Sequence, residues 1–440
     1  MDGEPHSVRQ QNAAVQGPRR VAMPAVGVPD ILPATWASWC NARNVSAHHP
    51  SQAHIQPNKE AKMKVYFVVK EPSERTINHF VSSLGKALET QGCEVVYGLE
   101  RLWTDEVLTC DIVHFQWPEG IFGLFSHHVT EEEILRMRHR LTWLKEQGKK
   151  IFCTCHNLKP HTNKDQGVLQ LYDMLYSYAD TVVHLGHYSK ENLQSQYKKT
   201  RHVVIPHHIY DNIFTFSASQ QEARCQLHLP QDKKIVLSFG KFRNDEERQF
   251  VLKLKNKCNH SSFFDRRTED EILFLMPGFY RETLHTKNPK KLIRRLYHTM
   301  RYKLAGISFS NEVIPDDLMQ CYFRAADIVL IQRLDILNSG NLPMAFAAGK
   351  VVVGPNVGNV GEILRETNNY TFDPTNMESA ALAVQTAFKD GNADKGNRNK
   401  LYAEQFWSSS VIAKALIDNY KMVMSEPCGM FATIDISRRK

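Results

Sequence analysis

The 440-residue sequence predicts a doubly wound α/β fold in two Rossmann-like halves, and three observations carry the prediction. From residue 63 onward, short runs rich in β-branched and other apolar residues recur without apolar/polar alternation, the pattern of strands buried on both faces of a parallel sheet. Segments with a helical period separate them, so strand and helix take turns. The runs also fall into two groups, 65–69, 111–115, 150–155, 181–184 and 202–205, then 234–239, 271–276, 306–309, 327–331 and 350–353. The break between the groups lies at 206–219.

Residues 1–62 hold seven of the 19 prolines and show neither period, so they cannot bury enough apolar surface to offset the entropy of ordering. They read as a disordered extension, and Met63, directly before Lys64-Val-Tyr-Phe-Val-Val, reads as the natural start. After the first run, Ile77, Phe80, Val81, Leu84 and Leu88 form a helical stripe that Gly92 closes at a C-cap position. The run ending at Phe115 leads into Trp117-Pro-Glu119, the run 150–155 into His156, and the run 202–205 into Pro206-His207-His208.

In the second group, Gly240-Lys241-Phe242-Arg243 follows the first run and places two cations at alternate positions, where both can point into a crevice and neutralise a diphosphate. Pro315-Asp316-Asp317 opens a helix whose stripe is Leu318, Cys321, Tyr322 and Ala325. The run 327–331 leads to the polar loop Asp335-Ile-Leu-Asn338-Ser339-Gly340, and an apolar helix begins within two residues. Free first-turn amides, a glycine that allows close approach and the positive end of a helix dipole together suit a phosphate. A last helix is expected to carry Phe406, Ile412, Leu416 and Tyr420 on one stripe. Residues 289–303 form a basic helix with Leu292, Leu296 and Met300 on one side and Arg294, Arg295 and Arg301 on the other. Two readings fit it, a surface helix packed by its apolar stripe or a contact with anionic lipid.

Composition removes several classes. No apolar run approaches the roughly 18 to 20 residues that span a bilayer, and no charged-then-apolar leader is seen. Nine cysteines without CxxC spacing point to reduced thiols and a cytoplasmic setting rather than a disulfide framework or zinc module. Neither half carries GxGxxG after its first strand, and no Walker A lysine loop occurs, which disfavours a dinucleotide dehydrogenase and a P-loop enzyme. The net charge of +8 permits an anionic partner, but no aromatic-basic signature of RNA binding accompanies it, so no nucleic-acid partner is expected.

Read together, the pieces 111–119, 154–161, 205–208, 239–243, 314–318, 325–328 and 339–355 resemble, in their order, a GT-B-fold retaining glycosyltransferase. The chain is similar to glycosyltransferase family 4, in a divergent branch of the bacterial polysaccharide type, over about 63–424. The resemblance implies a GT-B fold with an acceptor domain at 63–213, a nucleotide-sugar domain at 214–405, a closing helix at 406–424 that returns to the first domain, and a flexible tail at 425–440.

It further implies that Lys241, Arg243, Ser339 and Gly340 bind the donor diphosphate, that Asp335 or Asn338 lies near the donor sugar, and that His156 works beside that sugar. Glu119 is the candidate base, and His114 and Trp117 are candidate acceptor contacts. Two departures stand out: the family's second lysine is replaced by Asp245-Glu246-Glu247, and its two glutamates eight residues apart are replaced by Asp335 or Ile336 and by Met344. No Asp-x-Asp occurs, so metal-independent transfer without a cofactor is expected, with a nucleoside-diphosphate sugar as donor and a glycan or lipid-linked saccharide as acceptor. A nucleotide-sugar epimerase of the same fold and a non-catalytic sugar- or partner-binding module are the competing readings.

Overall fold

The structure, a computed structural model, describes residues 62–72, 78–122, 128–159, 165–240, 242–259, 272–277, 289–304, 307–309 and 314–426. The extension 1–61, Lys241, the tail beyond Glu426 and the side chains of Arg294, Arg295 and Arg301 lie outside the described residues. Everything described below belongs to one unit, Pro57–Lys440.

The first half begins with β1 (Lys64–Val68), α1 (His79–Thr90), β2 (Glu94–Val96) and β3 (Ile112–Phe115). It continues through α2 (Glu131–Glu146), β4 (Lys150–Cys155), α3 (Gln166–Tyr178), β5 (Thr181–His184), α4 (His187–Gln194) and β6 (Arg201–Val204). These strands form one parallel sheet in the order β2-β1-β3-β4-β5-β6. Burial on both faces explains the missing alternation. Val65, Phe67, Ile112 and Phe152 face one core, while Tyr66, Val68, Val113 and Ile151 face another shared with Met137, Leu141 and Leu175. Local chemistry sets the helix starts: Asn78 caps α1, Thr130 and Glu133 form a capping box on α2, and Asp165 caps α3. Gly92, at φ +92°, ends α1 as its position predicts.

The second half contains α5 (Gln220–Gln226), β7 (Ile235–Leu237), α6 (Asp245–Asn259), β8 (Leu273–Met276), α7 (Pro289–Leu304), β9 (Ser308–Phe309) and α8 (Asp316–Ala325). Then come β10 (Ile328–Leu330), α9 (Asn341–Ala347), β11 (Val351–Pro355), α10 (Gly358–Glu366), β12 (Tyr370–Phe372), α11 (Met377–Lys389) and α12 (Asn392–Phe406). Its sheet is also parallel, in the order β12-β11-β10-β7-β8-β9. Each half therefore has an edge strand, β2 or β12, that the apolar runs did not announce.

The last helix, α13 (Ser409–Ser425), crosses back and packs on α1, where Gln91 Nε2 donates to Ser410 O at 2.8 Å. The chain passes between the halves twice, and the two passages are tied together. Ile209 N donates to Trp407 O at 2.9 Å, and Ser409 N to Asp211 Oδ1 at 2.8 Å. One apolar core, including Ile205, Phe214, Phe239, Phe346 and Trp407, runs continuously from the first sheet to the second.

A candidate active site in the cleft

Parallel strands deliver all their carboxyl ends to one edge of each sheet, the usual ligand crevice of open α/β folds. Here the two edges meet. A cavity of about 270 Å³ is walled by His79, Tyr210 and Phe214 from the first half and the linker, and by Phe239, Gly240, Met319, Arg333, Ser339, Gly340, Asn341 and Met344 from the second. The turn that opens α9 is fixed from below by Asn341, whose Nδ2 donates to Phe239 O at 2.9 Å. Gly340 lies close to the opposite wall: a Cβ there would come within 3.2 Å of the Tyr210 hydroxyl, a tight contact. Tyr210 itself sits at φ +59°, and its hydroxyl meets His207 Nε2 at 3.2 Å.

His156 emerges from β4 on the first-half side. Its ring stacks on Trp117 with centroids 4.1 Å apart and meets the edge of Phe80 at 4.7 Å. Gln116 presents Oε1 to His156 Nε2 at 2.9 Å, so the ring carries its proton there and Nδ1 keeps its lone pair. Burial, with smaller contributions from His207 and His114, holds the imidazole pKa well below its ordinary value, and the ring is neutral at pH 7. His207 is depressed to about 4 and His208 well below the usual range, in both cases chiefly by burial. Phe80 touches both rings, at 4.8 and 5.0 Å, so the three histidines form one aromatic, uncharged wall.

Of the other anticipated site residues, Arg243 and Asp335 share the rim of the second half. The Arg243 guanidinium pKa is lowered chiefly by desolvation and held up by Glu247 and Asp335, which places a cation and a carboxylate near one another, although neither lines the cavity. Ser339 and Gly340 line the cavity. Asn338 Nδ2 donates to His156 O of the first half at 2.8 Å.

Two residues do not face the cleft. His114 is fully buried, with Nδ1 against Tyr420 Oη at 2.7 Å and Nε2 against Thr154 Oγ1 at 2.8 Å. It packs α13 onto the sheet and is no acceptor contact, because both ring nitrogens are used and no surface is left. Glu119, 8% exposed, is carried by the 3₁₀ turn Pro118–Gly120 beneath α3, where the Tyr172 hydroxyl donates to Oε2 at 2.5 Å. That contact lies on the α3 face of the sheet, with Cys153 as an electrostatic neighbour, and not beside His156.

Gln116, His79, Tyr210 and Asn341 were not singled out from the sequence, although Gln116 directly follows a parallel strand, as His156 does. Buried polar atoms cluster at these strand exits: Gln116 Nε2, Ser238 Oγ, Gln332 Nε2 and both ring nitrogens of His208 have no hydrogen-bond partner. Among the described residues, no group of three or more His, Cys, Asp or Glu side chains is placed to hold a metal ion.

No protein-family model matches the chain, and no curated protein matches it significantly in sequence. Solved structures do match in fold. Sucrose-phosphate synthase from Thermosynechococcus elongatus superposes with a TM-score of 0.58 at 15% identity, over 82% of this chain and 99% of that one. Anabaena HepE in complex with UDP-glucose gives 0.58 at 14% identity, over 82% and 100%. The catalytic domain of Starch Synthase IV from Arabidopsis thaliana, bound to ADP and acarbose, gives 0.57 at 11% identity, over 83% and 100%. These neighbours are GT-B glycosyltransferases, and the two facing Rossmann-like halves of this chain are a GT-B fold.

Proposed function

We propose that the chain is a retaining glycosyltransferase that moves a hexose from a nucleoside-diphosphate sugar to a glycan or a lipid-linked saccharide. The carrying observation is the cavity between the halves, bounded by the Ser339–Gly340–Asn341 turn and Arg333 on one side and by His79 and Tyr210 on the other. In this reading the Ser339 and Gly340 amides and the Arg243 and Lys241 side chains receive the diphosphate, and the helix dipole and cations stand where a metal would otherwise balance the charge. No cofactor or metal is required. Neutral His156 offers a lone pair to a sugar hydroxyl, and Trp117 stacked on it supplies an apolar wall for the acceptor. The departing phosphate assists the incoming hydroxyl on the same face, so no enzymic nucleophile is called for. The neighbours solved with UDP-glucose or ADP support a nucleotide donor.

Thermal shift with UDP, GDP and ADP tests the reading. At least one is expected to raise Tm, by an amount that grows with concentration. Arg243→Ala should weaken that ligand about tenfold, the loss of one charge-assisted contact of about 1.5 kcal/mol. No stabilisation by any of the three would remove the donor, and unchanged affinity in the variant would remove Arg243 from the site.

The proposed partner surface is peripheral contact of 289–303 with an anionic cytoplasmic membrane face. No helix among the described residues is long and apolar enough to cross a membrane. The packed-stripe reading of this helix does not hold, because the stripe of α7 points outward: Leu296 is 54% and Met300 64% exposed, beside exposed Ile293, Tyr297 and Leu304. The same sixteen residues carry six Lys or Arg and no Asp or Glu, the composition of an interfacial helix. Flotation with phosphatidylserine-containing liposomes should carry the protein upward. Replacing Arg294, Arg295 and Arg301 together by glutamine should weaken the association by about 3 kcal/mol, roughly 1 kcal/mol per cation. Equal flotation of the variant would exclude this helix as the contact.

A further inference from the structure

The helix α4 of the first half lacks its own cap. Its N-cap is Gly186, which has no side chain to offer, and a helix start leaves four amides without intrahelical partners. The second half supplies the acceptors. Glu362 of α10 takes His187 N on Oε1 at 2.7 Å and Tyr188 N on Oε2, and Asn359 Oδ1 takes Ser189 N at 3.0 Å. Glycine at 186 is required for this approach, since a Cβ would lie 2.6 Å from Asn359 Cγ.

Asn359, fully buried, also reaches the site. Its Nδ2 donates to Asn338 Oδ1 at 2.7 Å and to Ser189 Oγ at 3.2 Å, and Asn338 in turn holds His156 O at 2.8 Å. The start of α10 is pressed against the loop that carries Asn338. Gly358 adopts φ +58°, and a Cβ on it would lie 2.5 Å from Ile336 O. Two amide side chains in series, Asn359 and Asn338, therefore join a helix of the first half, the loop of the second half and the backbone of His156.

We propose that Asn359 and Glu362 form an interdomain clasp that completes α4 and holds the cleft in register, with Asn359 as a positioning residue acting on His156 through Asn338. The functional part rests on reading His156 as a site residue; the clasp itself does not. Separation of the halves would strip three amides of α4 and the Asn359 Oδ1 acceptor of its partner at once, leaving Asn359 Nδ2 only its bond to Asn338, so cleft opening and fraying of α4 are one event.

Hydrogen exchange on the full chain tests this. In Asn359→Ala and in Glu362→Ala, exchange across His187–Gln194 is expected to rise at least about tenfold, as for loss of capping bonds of about 1.4 kcal/mol in total. Gln166–Tyr178, in the same half but away from the contact, should keep wild-type protection. Wild-type protection of α4 in both variants would overturn the clasp, as would equal loss in both segments. Should either alanine variant fail to fold, Glu362→Gln, which keeps an acceptor oxygen, should show a smaller rise confined to α4. A second measurement separates positioning from support. In Asn359→Ala, affinity for the nucleoside diphosphate that binds wild type should stay within about threefold while kcat falls at least about tenfold, a split tied to transition-state alignment. Equal loss in both quantities would leave Asn359 a structural residue. Absence of nucleotide binding to wild type would count against the proposed donor, with the exchange result still deciding the clasp.

Discussion

His114→Ala is expected to cost about 5 kcal/mol of unfolding free energy. Removing a fully buried aromatic-sized side chain costs about 3–5 kcal/mol by the cavity it leaves, and each buried hydroxyl stripped of its partner adds about 1–3 kcal/mol, less whatever a water recovers. The two hydroxyls are those of Tyr420 and Thr154, and the ring also touches Phe67 at 5.4 Å and Phe152 at 5.8 Å. Against a usual stability of about 5–15 kcal/mol, the loss is close to unfolding. Because Tyr420 belongs to α13, the damage should begin where that helix meets the first sheet. His114→Phe keeps the shape and gives up only the bonds, for about 2 kcal/mol. Urea unfolding at constant slope measures both, and a loss below about 1 kcal/mol for the alanine variant would mean that the ring is not the pin it appears in the fold.

The same burial sets the acid limb of stability. His114 and His184, both fully buried, have pKa values pushed down to about 3 by desolvation, against about 6.5 in an unfolded chain. Between those values the unfolded chain binds the proton and the folded one does not. Stability is therefore full above pH 6.5 and is lost as the pH falls towards 3, by about 1.4 kcal/mol per pH unit for each ring. His114→Phe should flatten that limb by one ring's share, whereas an unchanged slope would mean that His114 titrates alike in the folded and unfolded chain.

The fold was legible because its strongest signal is burial on both faces of parallel strands, which writes itself as unbroken apolar runs. The two edge strands escaped for the same reason: β2 and β12 have three residues each and are paired on one side only, so Glu94 and Tyr370 break the run. The site was legible only as a set of strand exits. His114 and His156 look alike in sequence, each in or just after an apolar run. What separates them is that α13, three hundred residues later, lays Tyr420 over one and leaves the other at the cleft. Glu119 follows Trp117 by two residues, yet an intervening 3₁₀ turn rotates it under α3. The cap that Glu362 supplies to α4 spans 175 residues of sequence, and no local pattern can announce a capping residue at that distance.

His156→Ala is expected to lower kcat about 10²- to 10³-fold while nucleoside-diphosphate affinity changes less than about threefold, the signature of losing one preorganised hydrogen-bonding group at a reacting centre. The diphosphate contacts proposed for Arg243, Ser339 and Gly340 belong to the second half, and His156 to the first, so the two measurements report on opposite walls of the cleft. Its protonation state sharpens the test. With Nε2–H given to Gln116 and the pKa held well below the ordinary value by burial, wild-type kcat should show no histidine limb between pH 6 and 8. Gln116→Glu puts a carboxylate where the neutral oxygen was. An opposite charge in contact raises an imidazole pKa by about 1–3 units, so the variant's ring should begin to hold a second proton as the pH falls through the acid range. Protonation fills the Nδ1 lone pair that the proposed sugar hydroxyl uses. Gln116→Glu should therefore acquire an acid limb in kcat that is absent from wild type, rising with pH and recovering wild-type rate at the alkaline end. An unchanged, flat profile in Gln116→Glu would mean that Nδ1 is not the working atom. Full activity in His156→Ala would remove the imidazole from the chemistry and leave it a wall residue held by Trp117.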